Sequence, residues 1–163
     1  MVVILIITSK KIFITIGRKV LKINTQCSLA IHILISIAMF SDKVKVTSEI
    51  IANSTGTNPV IIRNIFGSLK KAGIIKVRRG YAGAELAMNP SEITIFDVYN
   101  AVDPTSLENL IGVHKNPSPK CLVGCKIHDV LEEPYNAVRE GIKEIMSKYT
   151  LADLVLKYDY QES

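Results

Sequence analysis

Residues 47–88 constrain the fold of this chain most, because their pattern predicts two short helices with a tight turn between them, followed by two strands. Thr47 and Ser48 are suited to cap a first helix. Asn58 and Pro59 provide a cap and a first-turn proline for a second one. A glycine between the two segments permits a left-handed turn. The sequence therefore predicts a helix-turn-helix followed by a β-hairpin.

The second predicted helix, residues 58–72, is amphipathic. One side carries apolar residues at a spacing close to 3.6, which is typical of a helix that packs on a core. These residues are Ile61, Ile62, Ile65, Phe66, Leu69 and Ala72. The other side carries polar side chains, cations and a glycine, which suit base edges, phosphates and the close approach of a backbone. Its members are Pro59, Val60, Arg63, Asn64, Gly67, Lys70 and Lys71. Gly73 is expected to end the helix.

Residues 74–77 and 84–88 are predicted to be the two strands. The segment between them holds Arg78, Arg79 and Tyr81 together with two glycines. Arginines and glycines at the tip of a hairpin suit insertion into a minor groove or contact with phosphates. The hairpin is therefore predicted to be a wing.

The local charge of this module favours double-stranded DNA as its partner. Residues 47–88 contain six Lys or Arg against two acids. Asn58, Arg63 and Asn64 are the candidates for reading base edges, while the lysines of the second helix and the wing arginines are the candidates for phosphates. The predicted DNA-binding residues are Thr47, Ser48, Asn58, Pro59, Val60, Arg63, Asn64, Gly67, Lys70, Lys71, Arg78, Arg79 and Tyr81. The alternative is a winged helix that uses the same face to bind a protein.

The overall composition sets broader limits. The net charge of +5 carries no information about nucleic acid, since the first 22 residues hold five Lys or Arg and no acid, and the remainder holds 15 of each sign. A chain of 163 residues can bury one core, and no second, enzymatic domain fits, so no enzyme is expected. Three cysteines without a secretory signal indicate a reducing cytoplasm.

The order and spacing of these elements resemble the Rrf2 family of bacterial winged-helix transcription regulators, over about residues 24–155. The motif that carries the resemblance is a leucine, basic residues, Ala-Gly, a strand, Arg-Gly, a glycine-rich wing and Leu-Ala. It corresponds here to Leu69–Gly73, Arg79-Gly80, Gly83 and Leu86-Ala87. Where the family usually has two adjacent wing glycines, this chain has Gly83-Ala84.

The resemblance implies a mainly α fold with a small β-wing, in which a winged helix-turn-helix is followed by a long C-terminal dimerisation helix. It also implies a homodimer that binds a DNA operator and regulates transcription, with repression as the expected mode. The expected domains are an N-terminal extension over 1–23, a winged helix over 24–102, a sensor-like loop over 103–121 and dimerisation helices over 122–160.

Residues 1–23 lie outside the resemblance. They are interpreted as an extension from an upstream start assignment or as a dispensable arm, in which Ile12–Ile16 could pair as a strand. The apolar run Val2–Ile7 is too short to span a bilayer, so no membrane partner is expected.

The segment from Asn24 to Phe40 is apolar nearly all round. This predicts a first helix that is buried against both the winged helix and a partner subunit. Within it, Cys27 is expected to be a packed thiol and His32 a core histidine with satisfied hydrogen bonds.

In the Rrf2 family the loop after the winged helix is the sensor position, and several members hold an iron-sulfur cluster there through three cysteines. This loop has two, Cys121 and Cys125, and so resembles a subgroup that lacks the cluster, for which no cofactor is expected. Three alternatives stay open. A cluster could be completed by His114 or by a group of the partner's first helix, such as His32; the two cysteines could form a thiol switch; or they could be inert.

Residues 122–149 carry an apolar stripe opposite a charged face, which predicts a long amphipathic helix. The stripe consists of Val123, Ile127, Val130, Leu131, Val138, Ile142 and Ile145. A stripe this long requires a partner, and the family packs this element against its symmetry mate. Pro134 is expected to kink or restart the helix, and Thr150 to cap a last short helix.

Overall fold

The computed structural model describes residues 25–77, 83–103, 107 and 111–158, together with the backbone of 4–8, 11–16, 19–20 and 159. The helices are α1 (Thr25–Phe40), α2 (Ser48–Thr55), α3 (Pro59–Lys71), α4 (Ile95–Val102), α5 (Ile127–Ser147) and α6 (Leu151–Asp159), with a 3-10 turn at Pro90–Glu92. The strands are β1 (Ile4–Thr8), β2 (Lys11–Ile16), β3 (Lys19–Val20), β4 (Ile75–Val77) and β5 (Ala84–Leu86).

The strands form two antiparallel sheets. One has the order β1-β2-β3, and the strand expected at Ile12–Ile16 lies within its β2. The other is the β4-β5 hairpin, which follows the helix-turn-helix. The predicted fold class, mainly α with a small β-wing, is confirmed.

The helix-turn-helix forms where the capping residues predicted it. Thr47 Oγ1 accepts a hydrogen bond from the Ile50 amide at 3.4 Å, and Asn58 Oδ1 accepts one from the Val60 amide at 2.8 Å. Gly56 follows α2 in the left-handed conformation, with a φ of 62°. These groups satisfy backbone donors and acceptors that helix ends otherwise leave unpaired.

The end of α3 determines how the chain enters the wing. The Gly73 amide donates to Lys70 O at 3.0 Å and the Ile74 amide donates to Leu69 O at 3.0 Å, which together make a Schellman motif. The motif needs a left-handed residue, and Gly73 provides it with a φ of 75°. Since Leu69 and Ile74 are both buried, this turn directs the chain straight into β4.

The wing is attached to the segment that precedes α2. The Ala84 amide donates to Val46 O at 3.1 Å. Gly83 has a φ of 155°, and a Cβ there would lie 3.4 Å from Lys45 Cα, so the backbone requires glycine at this position. Ala84 lies in the regular strand and is buried. The chain therefore keeps the wing glycine that its geometry needs and replaces the second one by a packed methyl group.

A single core joins α1, α2, α3, the wing, α4 and α6. Its large, fully buried side chains are Ile33, Leu34, Ile37, Ile51, Ile62, Leu69, Ile75 and Ile93. Cys27 packs against this core, and burial followed by the charge of Asp103 raises the pKa of its thiol, so the expected packed thiol is confirmed.

The expectation that His32 is a core histidine was wrong. Its side chain is exposed, and Nε2 lies 3.2 Å from Ser54 Oγ on α2. Position 32 lies about 100° around α1 from the fully buried Ile33, and this rotation places it at the surface beside α2.

The long helix α5 begins later than the sequence indicated. Residues 122–126 form turns, so the expected helical start at residue 122 was wrong. The helix then runs without interruption through Pro134, and no restart occurs there. Its described residues include none that is buried. The helix is therefore amphipathic as predicted, and the side chains of its stripe are half-buried or exposed in the described part of the chain.

The last helix returns to the winged helix of its own chain. Thr150 Oγ1 accepts a hydrogen bond from the Asp153 amide at 3.2 Å, which confirms the predicted cap. Leu151 is buried in the core, and its amide donates to Ile93 O at 2.8 Å. Although the expected boundary grouped α6 with the dimerisation helices, α6 packs on α1.

In the part of the chain that is described, no helix combines the length and hydropathy needed to cross a membrane.

Candidate nucleic-acid interface

One side of α3 lies in the core and the other faces solvent. Ile62, Ile65 and Leu69 are buried. Of the positions predicted for DNA on this helix, Pro59 is half-buried and the others are exposed. The exposed ones are Val60, Arg63, Asn64, Gly67, Lys70 and Lys71. Ile61 and Ala72 were predicted to lie in the core but are exposed. The part of the α3 surface that α1 and α4 cover is narrower than the apolar side of the helix.

Asn58 has a structural role at the start of this helix. Its Oδ1 accepts the hydrogen bond from the Val60 amide, so the carbonyl is engaged in the N-cap. Bidentate recognition of adenine needs both the carbonyl and the amino group of an asparagine. Asn58 is therefore less available for a base edge than Asn64, which is exposed one turn into the helix.

Gly67 opens a gap in the middle of the exposed face. A Cβ at this position would meet no protein atom within 4 Å. Glycine inside a helix costs about 1 kcal/mol relative to alanine, and the packing of this chain does not require it. The helix backbone is thus accessible to an external molecule at this point.

Arg63 is held by an acid of the preceding helix. Its Nη2 donates to Glu49 Oε1 at 2.8 Å, and both side chains are more than half exposed. The hydrogen bond from Arg63 is the main cause that lowers the pKa of Glu49 to about 2. Glu49 was missing from the predicted site, since no helical spacing relates a residue of α2 to one of α3.

A cleft of about 310 Å³ lies between the helix-turn-helix and the wing. Its lining residues are Val46, Thr47, Ser48, Glu49, Arg63, Phe66, Val77, Gly83 and Ala84. Thr47 and Ser48, which were predicted to contact DNA, are among these lining residues and are half-buried. The cleft brings the two helices and the base of the wing together on one surface.

The cations of this surface lie on α3 and on the wing. Lys70 and Lys71 are in the last turn of α3, where they also complement the helix dipole. On the wing, Lys76 Nζ lies 3.5 Å from Glu85 in the opposing strand. The predicted contacts Arg78, Arg79 and Tyr81 lie outside the described residues.

The two sensor-position cysteines, Cys121 and Cys125, lie in the turns before α5. Both are exposed, and the Cys125 amide donates to Cys121 O at 3.0 Å, so they are one turn apart. Hydrogen bonds from the backbone of Gly124 and then of Val123 lower the pKa of the Cys121 thiol, which favours the thiolate. A Cβ on Gly124 would lie 2.6 Å from Ser118 O, so this turn depends on the glycine.

The donors of this region do not fit an iron-sulfur cluster within one chain. His114 lies near His128, with ring centroids 6.4 Å apart. Over the described ranges, no three His, Cys, Asp or Glu side chains are grouped to hold a metal ion. Such clusters are held by about four ligands, most of them cysteines, and this turn supplies two.

The fold and this surface define a winged helix-turn-helix transcription regulator, a DNA-binding class. The family model for Rrf2, described as an iron-dependent transcriptional regulator, matches residues 23–157. The chain belongs to the Rrf2 family. Since the proteins of this family are transcription regulators, the chain is not an enzyme.

Relatives and solved structures agree with this assignment. A protein named as an HTH-type transcriptional regulator, YwnA of Bacillus subtilis (strain 168), is 41% identical over 133 residues, which are 82% of this chain and 96% of that one. The crystal structure of a protein described as DNA binding has a TM-score of 0.63 at 37% identity, with 79% of this chain and 97% of that chain covered. T. potens IscR has a TM-score of 0.63 at 20% identity, with coverage of 87% and 91%, and shows the shared fold.

Substitutions at Asn58 separate capping from base reading. We expect Asn58→Ala to lower the free energy of unfolding by about 1 kcal/mol, because the cap is lost, whereas Asn58→Ser keeps the cap and the stability. Denaturant unfolding measures both changes. If Asn58→Ser nevertheless changed the preferred base at one position of a bound DNA site, Asn58 would be a base reader and the assignment to the cap alone would be wrong.

Proposed function

We propose that this chain is a sequence-specific DNA-binding regulator that acts as a homodimer in the cytoplasm and represses transcription. The observation that carries the proposal is the exposed face of α3, where polar readers, cations and an open glycine lie beside the wing. In this arrangement α3 lies in a major groove and the wing contacts the adjacent backbone. Two copies would read two half-sites of a pseudo-palindrome, and the bound dimer would repress by occupying promoter DNA.

The proposed contacts divide by their chemistry. Arg63 and Asn64 read base edges, since arginine suits guanine and asparagine suits adenine. Lys70 and Lys71 bind phosphates and set the position of the helix, because their flexible cations carry no base information. Gly67 allows the helix backbone to approach the duplex. Arg78, Arg79 and Tyr81 of the wing remain predicted contacts.

The exposed stripe of α5 supports a dimer. Val130, Val138 and Ile145 are 63%, 45% and 60% exposed, although all three lie on the apolar side of a 21-residue helix. Contiguous apolar surface of this kind marks an interface. A second copy of this chain is the proposed occupant, because it would present an identical stripe of the same length, as a two-fold axis requires.

The cysteine turn supports regulation without a cofactor. We propose that peroxides oxidise it: the Cys121 thiolate attacks a peroxide oxygen and becomes a sulfenic acid, and the released hydroxide takes up a proton to form water. The Cys125 thiol then displaces a second water to form the disulfide. Two thiols lose two electrons and hydrogen peroxide gains them. Because this turn precedes Ile127 directly, the disulfide would change the start of α5 and hence the spacing of the two α3 helices.

A protein partner on the α3 face is the second candidate function. Val60 and Ile61 of α3 are 55% and 42% exposed, and Ile50 of the preceding helix α2 is 45% exposed. Exposed aliphatic side chains are typical of protein interfaces, although an aliphatic side chain can also contact the methyl group of thymine. DNA binding in the presence of competitor distinguishes the two.

Removing the two lysines of α3 should weaken DNA binding in a salt-dependent manner. Fluorescence anisotropy with a duplex from the region upstream of its own gene, in excess non-specific competitor, measures affinity against salt concentration. In Lys70→Gln with Lys71→Gln, the magnitude of the slope of log K against log salt should fall by about 4, since the dimer would lose two phosphate contacts on each protomer and each contact releases about one counterion. Lys126→Gln with Lys143→Gln, one just before α5 and one within it, is the matched control and should keep the slope. If non-specific competitor DNA removed the wild-type protein from the upstream duplex, the result would instead favour a protein partner.

Charges placed on the α5 stripe should separate the proposed dimer. Val130→Asp with Ile145→Asp should weaken association on the order of 10²-fold or more, because each protomer would bury two unpaired carboxylates in place of apolar side chains. Sedimentation equilibrium should give twice the chain mass of 18.0 kDa for the wild type and the chain mass for the variant. Val44→Asp changes another exposed valine and is the control. A variant that stayed dimeric would rule out this stripe as the interface.

Peroxide should release the regulator from DNA through its two cysteines. We expect at least a tenfold loss of affinity for the upstream duplex, a disulfide detected by mass spectrometry, and recovery with dithiothreitol. Cys121→Ser and Cys125→Ser should each abolish the response, and Gly124→Ala should slow it by disturbing the turn. An unchanged response in both serine variants would refute the switch, and stoichiometric iron and sulfide after anaerobic purification would refute cofactor-free regulation.

A further inference from the structure

The helix-turn-helix carries a single acid, and its other charged residues are basic. Within residues 47–73, Glu49 is the only Asp or Glu. It bonds to Arg63 at 2.8 Å, with the two side chains 59% and 58% exposed. This pair joins α2 to α3 at the surface of the proposed DNA-binding face and not within the core.

A charge of this sign opposes binding to DNA. The bond from Arg63, followed by a backbone hydrogen bond, lowers the pKa of Glu49 to about 2, so its carboxylate is ionised at neutral pH. An ionised carboxylate close to phosphates repels them and reduces affinity. Exposed ion pairs also contribute little to stability. The position of Glu49 in the first turn of α2 stabilises that helix through its dipole, but this does not account for the bond to Arg63.

The geometry of the pair suits the orientation of a base reader. The guanidinium of Arg63 has five N–H donors, and the bond to Glu49 uses one on Nη2. Recognition of guanine O6 and N7 needs two, so enough donors remain free. A long side chain that is held in place before binding loses less conformational entropy when it docks.

The cleft beside the pair offers apolar surface to the stem of the same side chain. Arg63 lines it together with Phe66 and Val77, of which Phe66 is half-buried. The aliphatic stem of an arginine packs favourably along such apolar surface while its charged end stays in water. Arg63 thus lies along the cleft and is bonded at its end to Glu49.

We infer that Glu49 is a positioning residue that fixes the Arg63 guanidinium and thereby sets a preference for guanine at one base pair of each half-site. The inference rests on the proposed function, because it requires the α3 face to lie in a major groove. Glu49 acts through Arg63 and makes no base contact of its own.

Selection from a pool of randomised duplexes, followed by competition anisotropy with every single base-pair change, tests the inference. The wild-type dimer should enrich a site with guanine at one base pair of each half-site. Replacing that guanine should weaken binding by tens of fold. Glu49→Gln should reduce that discrimination at least fivefold and leave the other positions unchanged. Its non-specific affinity should rise, since a negative charge is removed.

Two further variants separate positioning from a structural role. Glu49→Asp keeps the charge in the first turn of α2 but shortens the side chain, so it should preserve the unfolding temperature and still lose discrimination. Arg63→Lys should lose discrimination at the same position, and adding Glu49→Gln to it should cause no further loss. Glu144→Gln breaks an ion pair with Lys148 on α5 and is the control that should change nothing.

The outcomes are distinguishable. The positioning role would be refuted if Glu49→Gln reduced base discrimination equally at all positions. It would also be refuted if Glu49→Asp kept the full discrimination of the wild type. Sharper discrimination in Glu49→Gln would also refute it, because Glu49 would then compete with DNA for Arg63. If the wild type enriched no sequence at all, or Arg63→Lys left every preference intact, the proposed reading face would fail first.

Discussion

The burial of Ile62, Ile65 and Leu69 in the core that α3 shares with α1, α2 and α4 is the contact on which the rest of this structure depends. It fixes the rotation of α3, and that rotation decides which residues face solvent. The Schellman turn after Lys71 then places the wing beside the same exposed face, because Ile74 must enter the core directly after the helix ends. The arrangement of the proposed reading surface is thus a consequence of core packing.

The C-terminal half has a different character, since none of the described residues of α5 is fully buried. Its far end is nevertheless attached to the core, because the Ile95 amide donates to Tyr149 O at 2.9 Å and Leu151 is buried. Near its middle, Arg139 Nη1 donates to Ile111 O at 3.2 Å and ties the preceding loop to the helix. A movement of α5 in the proposed dimer would therefore be transmitted to the winged helix through packed and hydrogen-bonded contacts.

The turn before α5 brings two cysteines together on the surface of this family fold. The turn that holds Cys121 and Cys125 offers two exposed sulfur atoms, one of them stabilised as a thiolate by backbone amides. It is closed by Gly124, whose hydrogen atom is all that fits against Ser118 O. This geometry suits thiol chemistry better than cluster binding, which needs more ligands than the described part of the loop provides.

The sequence by itself determined the elements and most of their ends. Capping residues such as Thr47, Asn58 and Gly73 act on the nearest turn, so their effect can be predicted without knowledge of the tertiary structure. The amphipathic period likewise placed the exposed face of α3 and the stripe of α5. It failed at Ile61 and His32, whose burial depends on which neighbouring helix covers them.

Only the tertiary structure decided which residues of different elements meet. It brought Glu49 of α2 to Arg63 of α3, placed α6 on α1 of its own chain, and engaged the Asn58 carbonyl in a cap at the edge of the proposed site. Local propensity and periodicity act within a few residues along the chain. Contacts across elements depend on the packing of the whole core, and a single sequence does not display that packing.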